Sequence, residues 1–186
     1  YLPPRPDVKR AAQQLAAEGN WDNRFNIRAG EEARPGDVVV VDQGGPEGGI
    51  FLGDLSALGI MMRGAAGVIV DGGVRDAKEL RGASFDRFPI FARFFDARAN
   101  WWVGVDWDVP VRVGTATVLP GDIVVADEGG VLFIPPELVA PILQQAASSK
   151  KVEERQRELI KERKFRLRDV YPLHPKLKEE FDKDRK

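Results

Sequence analysis

Asp54 and the pair Arg75-Asp76 stand on either side of twenty intervening residues, each in a glycine-rich turn. The two segments read Gly53-Asp54-Leu55-Ser56 and Asp71-Gly72-Gly73-Val74-Arg75-Asp76. Two carboxylates and a guanidinium delivered by neighbouring turns can hold a divalent cation and an anionic substrate together. A turn that opens a helix leaves backbone N–H groups at Leu55 and Ser56 without intrahelical partners, and these favour a carboxylate or phosphate. Arg75 offers a planar, two-pronged donor matched to a carboxylate. Mg²⁺ or Mn²⁺ takes one or two protein carboxylates and keeps positions for water and substrate oxygens. Asp76 directly, with Asp54 acting through water, would meet that demand. The same residues admit a plainer reading, with Asp54 as a helix cap and Arg75-Asp76 as an ion pair that steadies a turn.

Composition narrows the chemistry. The chain of 186 residues has no cysteine, which excludes disulfides, thiolate metal sites and a cysteine nucleophile. His174 is the only histidine and lies in a polar, Pro-flanked segment, so one subunit cannot build a histidine triad or a multi-histidine zinc site. Acid–base or metal work falls to carboxylates, arginine, lysine, tyrosine, hydroxyls or water. A formal net charge of −1 argues against broad attraction to nucleic acid or an anionic membrane. Apolar residues at 43% and charged residues at 31% fit an ordinary globular domain. No apolar run approaches the ~20 residues that cross a bilayer, and no signal peptide is visible, so the expected location is the cytoplasm. Tyr1 opens a Pro-rich stretch, as expected of a chain joined partway through a larger protein or of a processed one.

The elements that must position these residues follow from pattern. Asp7 reads as an N-cap, with Val8, Ala11, Ala12, Leu15 and Ala16 at helical spacing up to Gly19. A polar loop around Trp21-Asp22-Asn23 leads to the turn Pro35-Gly36-Asp37. Val38 to Val41 predicts a buried strand, because four β-branched residues in a row show no polar face. Asp54 to Arg63 predicts a short helix with Leu55, Leu58, Met61 and Met62 toward the core. Val68 to Val70 and Pro89 to Phe94 read as strands, and Ala77 to Arg81 as a helical turn. Short strands at Val109 to Val113, Thr115 to Leu119, Ile123 to Ala126 and Val131 to Ile134 predict a β-meander. A helix is expected from Pro136, with Leu138, Val139, Ile142 and Leu143 along one side and Pro141 kinking or delaying it. Residues Lys150 to Arg168 are charged, with Glu153–Arg157 and Glu162–Arg166 at i,i+4. They read as a solvated helix extension or as an arm on a neighbouring subunit, ended by Tyr171-Pro172-Leu173-His174-Pro175. Two regions are expected: an α/β domain over residues 1–135, and a C-terminal helix with a charged tail over residues 136–186.

Other signals carry less. Gly44-Gly45-Pro46-Glu47-Gly48-Gly49 follows a strand, but it lacks G-x-G-x-x-G spacing, and Pro46 removes a donor. A flexible loop near the site is expected there, with no nucleotide. Trp101, Trp102 and Trp107 read as core or interface aromatics. Arg93 points either to the pocket or to a surface ion pair. Lys78 is expected to face solvent.

The stretch Gly53-Asp54-Leu55 with Gly67-Val68-Ile69-Val70-Asp71-Gly72-Gly73-Val74-Arg75-Asp76 resembles the signature of the RraA-like family. That family is named for the regulator of ribonuclease activity A and also holds the class II 4-hydroxy-4-methyl-2-oxoglutarate aldolases. Its hallmark of Asp, twenty residues and Arg-Asp fits residues 54 to 76 without a gap. The segments Pro35-Gly36-Asp37-Val38-Val39-Val40-Val41-Asp42, Pro89-Ile90-Phe91-Ala92-Arg93 and Pro120 to Val131 are similar too, so the likeness covers roughly residues 35 to 140. It implies a layered β/β/α fold of the swivelling-domain type with a C-terminal helical extension, usually a homotrimer or a hexamer made of two trimers, with the site between subunits. It implies a divalent metal cation, Mg²⁺ or Mn²⁺, on Asp76, and the pyruvate-like part of a 2-oxo acid on Arg75. The turn Gly53, Asp54, Leu55 and Ser56 would supply amides to that substrate, with Asp54 orienting water beside the ion. The implied activity is a lyase that forms a pyruvate enolate by aldol cleavage or by decarboxylation of oxaloacetate. The implied alternative is a non-catalytic regulator that binds a ribonuclease or another protein. The chain departs from the family's pattern at Ser56 and Phe94, its C-terminal arm is longer, and the family's first helices and strands are expected to lie before Tyr1.

Overall fold

The computed structural model describes residues 1, 6–22, 24–98 and 102–177. Its central strand is β3 (Gly67–Val74), every residue of which is buried. One edge of β3 pairs in parallel with β1 (Val38–Asp42) and then with β2 (Ile50–Leu52); the other edge pairs in parallel with β4 (Ile90–Phe95). A parallel strand buried on both faces needs no polar alternation, which is why its apolar run is unbroken up to Asp71. Gly73 is required by this packing, because a Cβ there would overlap the Phe94 ring and the Ile50 side chain. β1 is less buried than expected: only Val41 is fully covered.

Helix α1 (Pro6–Ala17) forms where the periodicity placed it, with Asp7 in its first turn rather than at its cap. Helix α2 (Phe25–Glu32) falls where a polar loop was expected. It has no side-chain cap and no acidic residue in its first turn, so the usual start signals are missing. β2 was also unread, because three apolar residues after Gly48-Gly49 are too few for a period to show.

Helix α3 (Asp54–Met62) follows β2 directly. The expectation that Leu55, Leu58, Met61 and Met62 turn inward is corrected. Leu55 is 79% exposed and Met62 74%, Leu58 is also exposed, and only Met61 packs against the core. The buried face is Ala57 and Ile60. A helix apolar almost all round does not declare its inner face by period. Here Ala57 and Ile60 face in, and Gly59 meets Gly30 of α2 closely enough to bring the two helices together.

Helix α4 (Ala77–Leu80) follows β3 after Arg75 and Asp76. The expected meander is corrected to two separate pairs, β5 (Val111–Val113) with β6 (Ala116–Val118), and β7 (Ile123–Asp127) with β8 (Gly130–Ile134). The architecture is α/β, and a C-terminal helix is present.

The chain divides into two units, Tyr1–Phe133 and Ile134–Lys186. The second holds the long α5 (Val139–Glu162) and the short α6 (Leu167–Val170). Pro141 sits in the first turn of α5, where its missing N–H is an orphan in any case. Arg157 pairs with Glu153 at 3.0 Å as expected. The expected Glu162–Arg166 pair does not form, because α5 ends at Arg163 in a left-handed conformation; Arg166 instead pairs with Asp169 at 2.9 Å. Gln156 Nε2 donates to the Val170 carbonyl at 2.7 Å, tying α6 back to α5. Among the described residues no helix is long and apolar enough to cross a membrane.

Candidate functional site

The convergence of the two turns is a matter of strand register. β2, α3 and β3 form a strand–helix–strand unit, and β2 pairs with β3 so that Leu52 faces Val74. Arg75 N–H donates to the Leu52 carbonyl at 3.0 Å, continuing the ladder by one step. Both strands run the same way and stop at the same level, so the residues that follow each emerge side by side. This is the carboxyl edge of a parallel sheet, where open α/β folds bind their ligands.

Gly53 is the N-cap of α3 and makes no side-chain cap bond; Asp54 is the first helical residue, so it is not the cap. Ala57 N–H makes the first intrahelical bond, to the Gly53 carbonyl, leaving the amides of Asp54, Leu55 and Ser56 ahead of the ladder. Asp76 holds a left-handed conformation (φ 59°, ψ 44°), and it precedes α4 without capping it. Its carboxylate instead crosses to the other turn, where Oδ2 accepts the Asp54 N–H at 3.1 Å. Arg75 Nε lies 3.3 Å from the same oxygen. A Cβ on Gly53 would overlap Asp76 Oδ2 and approach Arg75 Nε to 2.8 Å, so any other residue there would push both side chains from this arrangement.

Two cavities meet at Arg75. One, of about 170 Å³, is bordered by Arg75, Gly53, Ser56, Asn26, Arg24 and Trp102. The other, of about 440 Å³, is bordered by Arg75, Asp76, Phe95 and Asp96. Ser56 is held by Asn26, whose Nδ2 donates to its Oγ at 3.0 Å. Leu55 and Asp54 border neither cavity, and Lys78 is exposed on α4. Asp96 belongs to Arg98, whose backbone and guanidinium bonds hold its carboxyl below the usual carboxylate range. Tyr1 packs edge-on against Phe25 and Phe51, and burial pushes its phenol well above the ordinary value.

The glycine-rich segment 44–49 is packed rather than loose. It contains a 3₁₀ turn (Gly45–Glu47), and the Trp102 ring occupies the space that side chains on Gly44 and Gly49 would need. Trp107 stacks edge-on to Phe25 with centroids 5.4 Å apart, while Trp101 lies outside the described residues. Arg93 borders neither cavity and takes the ion-pair role, though with a buried partner. Its guanidinium pairs with Asp71, a carboxylate only 2% exposed, which also accepts the Gly114 N–H at 2.8 Å. That clasp ties the β5–β6 turn to the sheet beside the site.

Asp76 suits a hard divalent ion. Its carboxylate is an oxygen donor held by the Asp54 N–H, paired with Arg75 Nε at 3.3 Å, and placed at the sheet edge against a glycine. Among the described residues no group of three or more His, Cys, Asp or Glu side chains comes together. A single carboxylate is the kind of donor that an ion of the Mg²⁺ type accepts, since such an ion keeps most positions for water and substrate. Arg24, Asn26, Trp102 and Asp96 had no spacing signal in the sequence; α2 and the loop after β4 bring them in.

The family model described as RraA-like, Aldolase/RraA, matches residues 9–133. The match begins well before Pro35 and takes in α2 and most of α1. A protein of Halalkalibacterium halodurans, provisionally named a 4-hydroxy-4-methyl-2-oxoglutarate aldolase, is 33% identical over 162 residues, 83% of this chain and 73% of its own length. A Thermus thermophilus protein named 4-hydroxy-4-methyl-2-oxoglutarate aldolase is 36% identical over 114 residues, 61% of this chain and 68% of its own. Among solved structures, RraAS2 of Streptomyces coelicolor is described as an unusual member of the RNase ES inhibitor RraA family. It matches with a TM-score of 0.62 at 32% identity, over 71% of this chain and 67% of its own.

Proposed function

This chain belongs to the RraA-like family, Aldolase/RraA, and from that premise we propose that it is a divalent-metal-dependent lyase cleaving 2-oxo acids through a pyruvate enolate. Its substrates on this reading are 4-hydroxy-4-methyl-2-oxoglutarate and oxaloacetate. The observation that carries the reading is the bridge from the Asp76 carboxylate to the Asp54 amide with Arg75 alongside, a preformed anionic and cationic pair at the edge of the sheet.

Asp76 would hold the cation, which when bound supplies Lewis-acid stabilisation of the charge that develops on the keto oxygen. Arg75 binds and neutralises the substrate's C1 carboxylate through its planar fork. The amides of Leu55 and Ser56 lie at the start of α3, where they can take part of the same charge. In aldol cleavage the C3–C4 bond breaks, its electron pair stays on C3 as the enolate, and the C4 hydroxyl gives up its proton to become a carbonyl. C3 then takes a proton to give pyruvate. In oxaloacetate the departing group is CO₂ and the same enolate remains, so one site serves both reactions. Asp54 is the nearest carboxylate in sequence to those amides and is assigned to steer the proton through water.

Pyruvate release from either substrate, measured with Mg²⁺ and after chelation, tests the reading, with Asp76→Ala and Arg75→Ala as controls. Metal-dependent release abolished by both substitutions supports it. The likeness to RraAS2 favours a second reading, a regulator that binds a ribonuclease; absent release together with tight ribonuclease binding would establish that one instead. A homotrimer or hexamer is part of the lyase reading. The exposed Leu55 and Met62 on α3 suit burial between subunits, and a sedimentation mass checks it.

A further inference from the structure

We infer that Arg24 recognises a second carboxylate, so that the site selects dicarboxylic over monocarboxylic 2-oxo acids. This assignment rests on the keto-acid reading of the site and names the group that reads the far end of the substrate.

The smaller cavity carries two guanidinium groups, Arg24 and Arg75, and among the described residues its border contains no carboxylate. Asp76, which pairs with Arg75, borders the neighbouring cavity instead. A polar hollow lined by two cations and no anion is complementary to a dianion. Its volume of about 170 Å³ holds a small organic acid and falls below the roughly 300–1,000 Å³ typical of larger ligands. Ser56 and Asn26, joined by their 3.0 Å hydrogen bond, line the same cavity and can meet a hydroxyl or carboxylate oxygen of the ligand.

The placement of Arg24 is built into the fold. It precedes α2, and α2 is drawn onto α3 where Gly30 faces Gly59. One turn earlier on α2, Asn26 meets Ser56 on the first turn of α3. The same packing seats Asn26 beside Ser56, and Arg24, two residues earlier, lines the same cavity as Arg75, the residue that grips the keto-acid end. Arg24 is itself exposed, and its guanidinium lies 5.9 Å from the Trp21 ring centroid, so the aromatic face limits its range.

The test is equilibrium binding by calorimetry, in Mg²⁺, of 2-oxoglutarate and 2-oxobutyrate to the whole chain and to Arg24→Gln. The first ligand has a second carboxylate; the second lacks it. The wild-type chain is expected to bind 2-oxoglutarate at least tenfold more tightly. Arg24→Gln should erase most of that preference while the affinity for 2-oxobutyrate stays within about twofold. Arg24→Lys, which keeps the charge and loses the fork, should retain part of it. Equal affinities in the wild type, a preference that survives Arg24→Gln, or binding of neither acid would overturn the assignment. Pyruvate release is a separate readout. Turnover without the preference removes Arg24 alone, whereas the preference without turnover removes the lyase reading and leaves Arg24 in place.

Discussion

The backbone N–H of Asp54 donates to the Asp76 carboxylate at 3.1 Å, joining two turns separated by a helix and the central strand. This bond exists because Leu52 and Val74 are paired neighbours on parallel strands, so the second residue beyond Leu52 stands beside the second beyond Val74. Gly53 leaves the space through which the carboxylate reaches.

Gly53→Ala therefore tests the bridge without touching a charged group. The added methyl must displace Asp76 Oδ2 and Arg75 Nε together. Misplacement of about 1 Å in a positioned site can lower rates on the order of 100-fold. Pyruvate release is expected to fall by about that factor, with the circular-dichroism spectrum unchanged; full activity would show that the bridge is dispensable.

Asp76→Asn separates charge from shape. Asn tolerates the left-handed backbone of position 76, and its Oδ1 can still accept the Asp54 N–H. Mn²⁺ affinity, read by calorimetry, should drop at least tenfold while the thermal midpoint moves by no more than about 2 °C. Retained Mn²⁺ binding would move the ion to another ligand.

Arg93→Leu leaves the buried Asp71 carboxylate with the Gly114 N–H as its remaining recorded side-chain contact. Removing one partner of a buried pair costs about 3–5 kcal/mol, but Arg93 is 42% exposed, so about 2 kcal/mol is the expected loss. Urea unfolding should show a lower midpoint at unchanged slope, and a loss below about 0.5 kcal/mol would mean the clasp is slack.

Gln43 is wholly buried, and among the described residues neither atom of its side-chain amide finds a hydrogen-bond partner. An unsatisfied buried polar group costs about 1–3 kcal/mol, and Met has a similar shape without that penalty. Gln43→Met is expected to raise unfolding free energy by about 1 kcal/mol; a decrease measured by urea titration would reveal a partner for the amide.

Asp169 sits at the N-terminus of α6, where its hydrogen bond to the Arg166 guanidinium holds its carboxyl below the usual value. A depressed folded-state value stabilises the fold above the unfolded carboxyl's titration, and this stability is lost as pH falls through the folded value. An NMR titration of the Asp169 carboxyl should give a midpoint below the ordinary ~3.9, and Arg166→Gln should return it toward that figure.

Much of this arrangement is legible in the sequence. A β-branched run, an unbroken apolar run and a glycine after each turn mark β1, β3 and α3, because those signals act within a few residues of themselves. Asp54, Arg75 and Asp76 likewise stand out as two carboxylates and a guanidinium in glycine-rich turns. The inward face of α3, the three-residue β2 and the uncapped α2 were not legible. Each is decided by what packs against it: Gly30 against Gly59, Phe94 and Ile50 around Gly73, Trp102 over Gly44 and Gly49. Arg24 and Asn26 enter the site by the same route, carried by a helix whose own residues give it little reason to form. Local chemistry names the groups that can react, whereas contacts between residues distant in the chain decide which of them share a cavity, because burial is a property of the neighbours a side chain meets and not of the side chain alone.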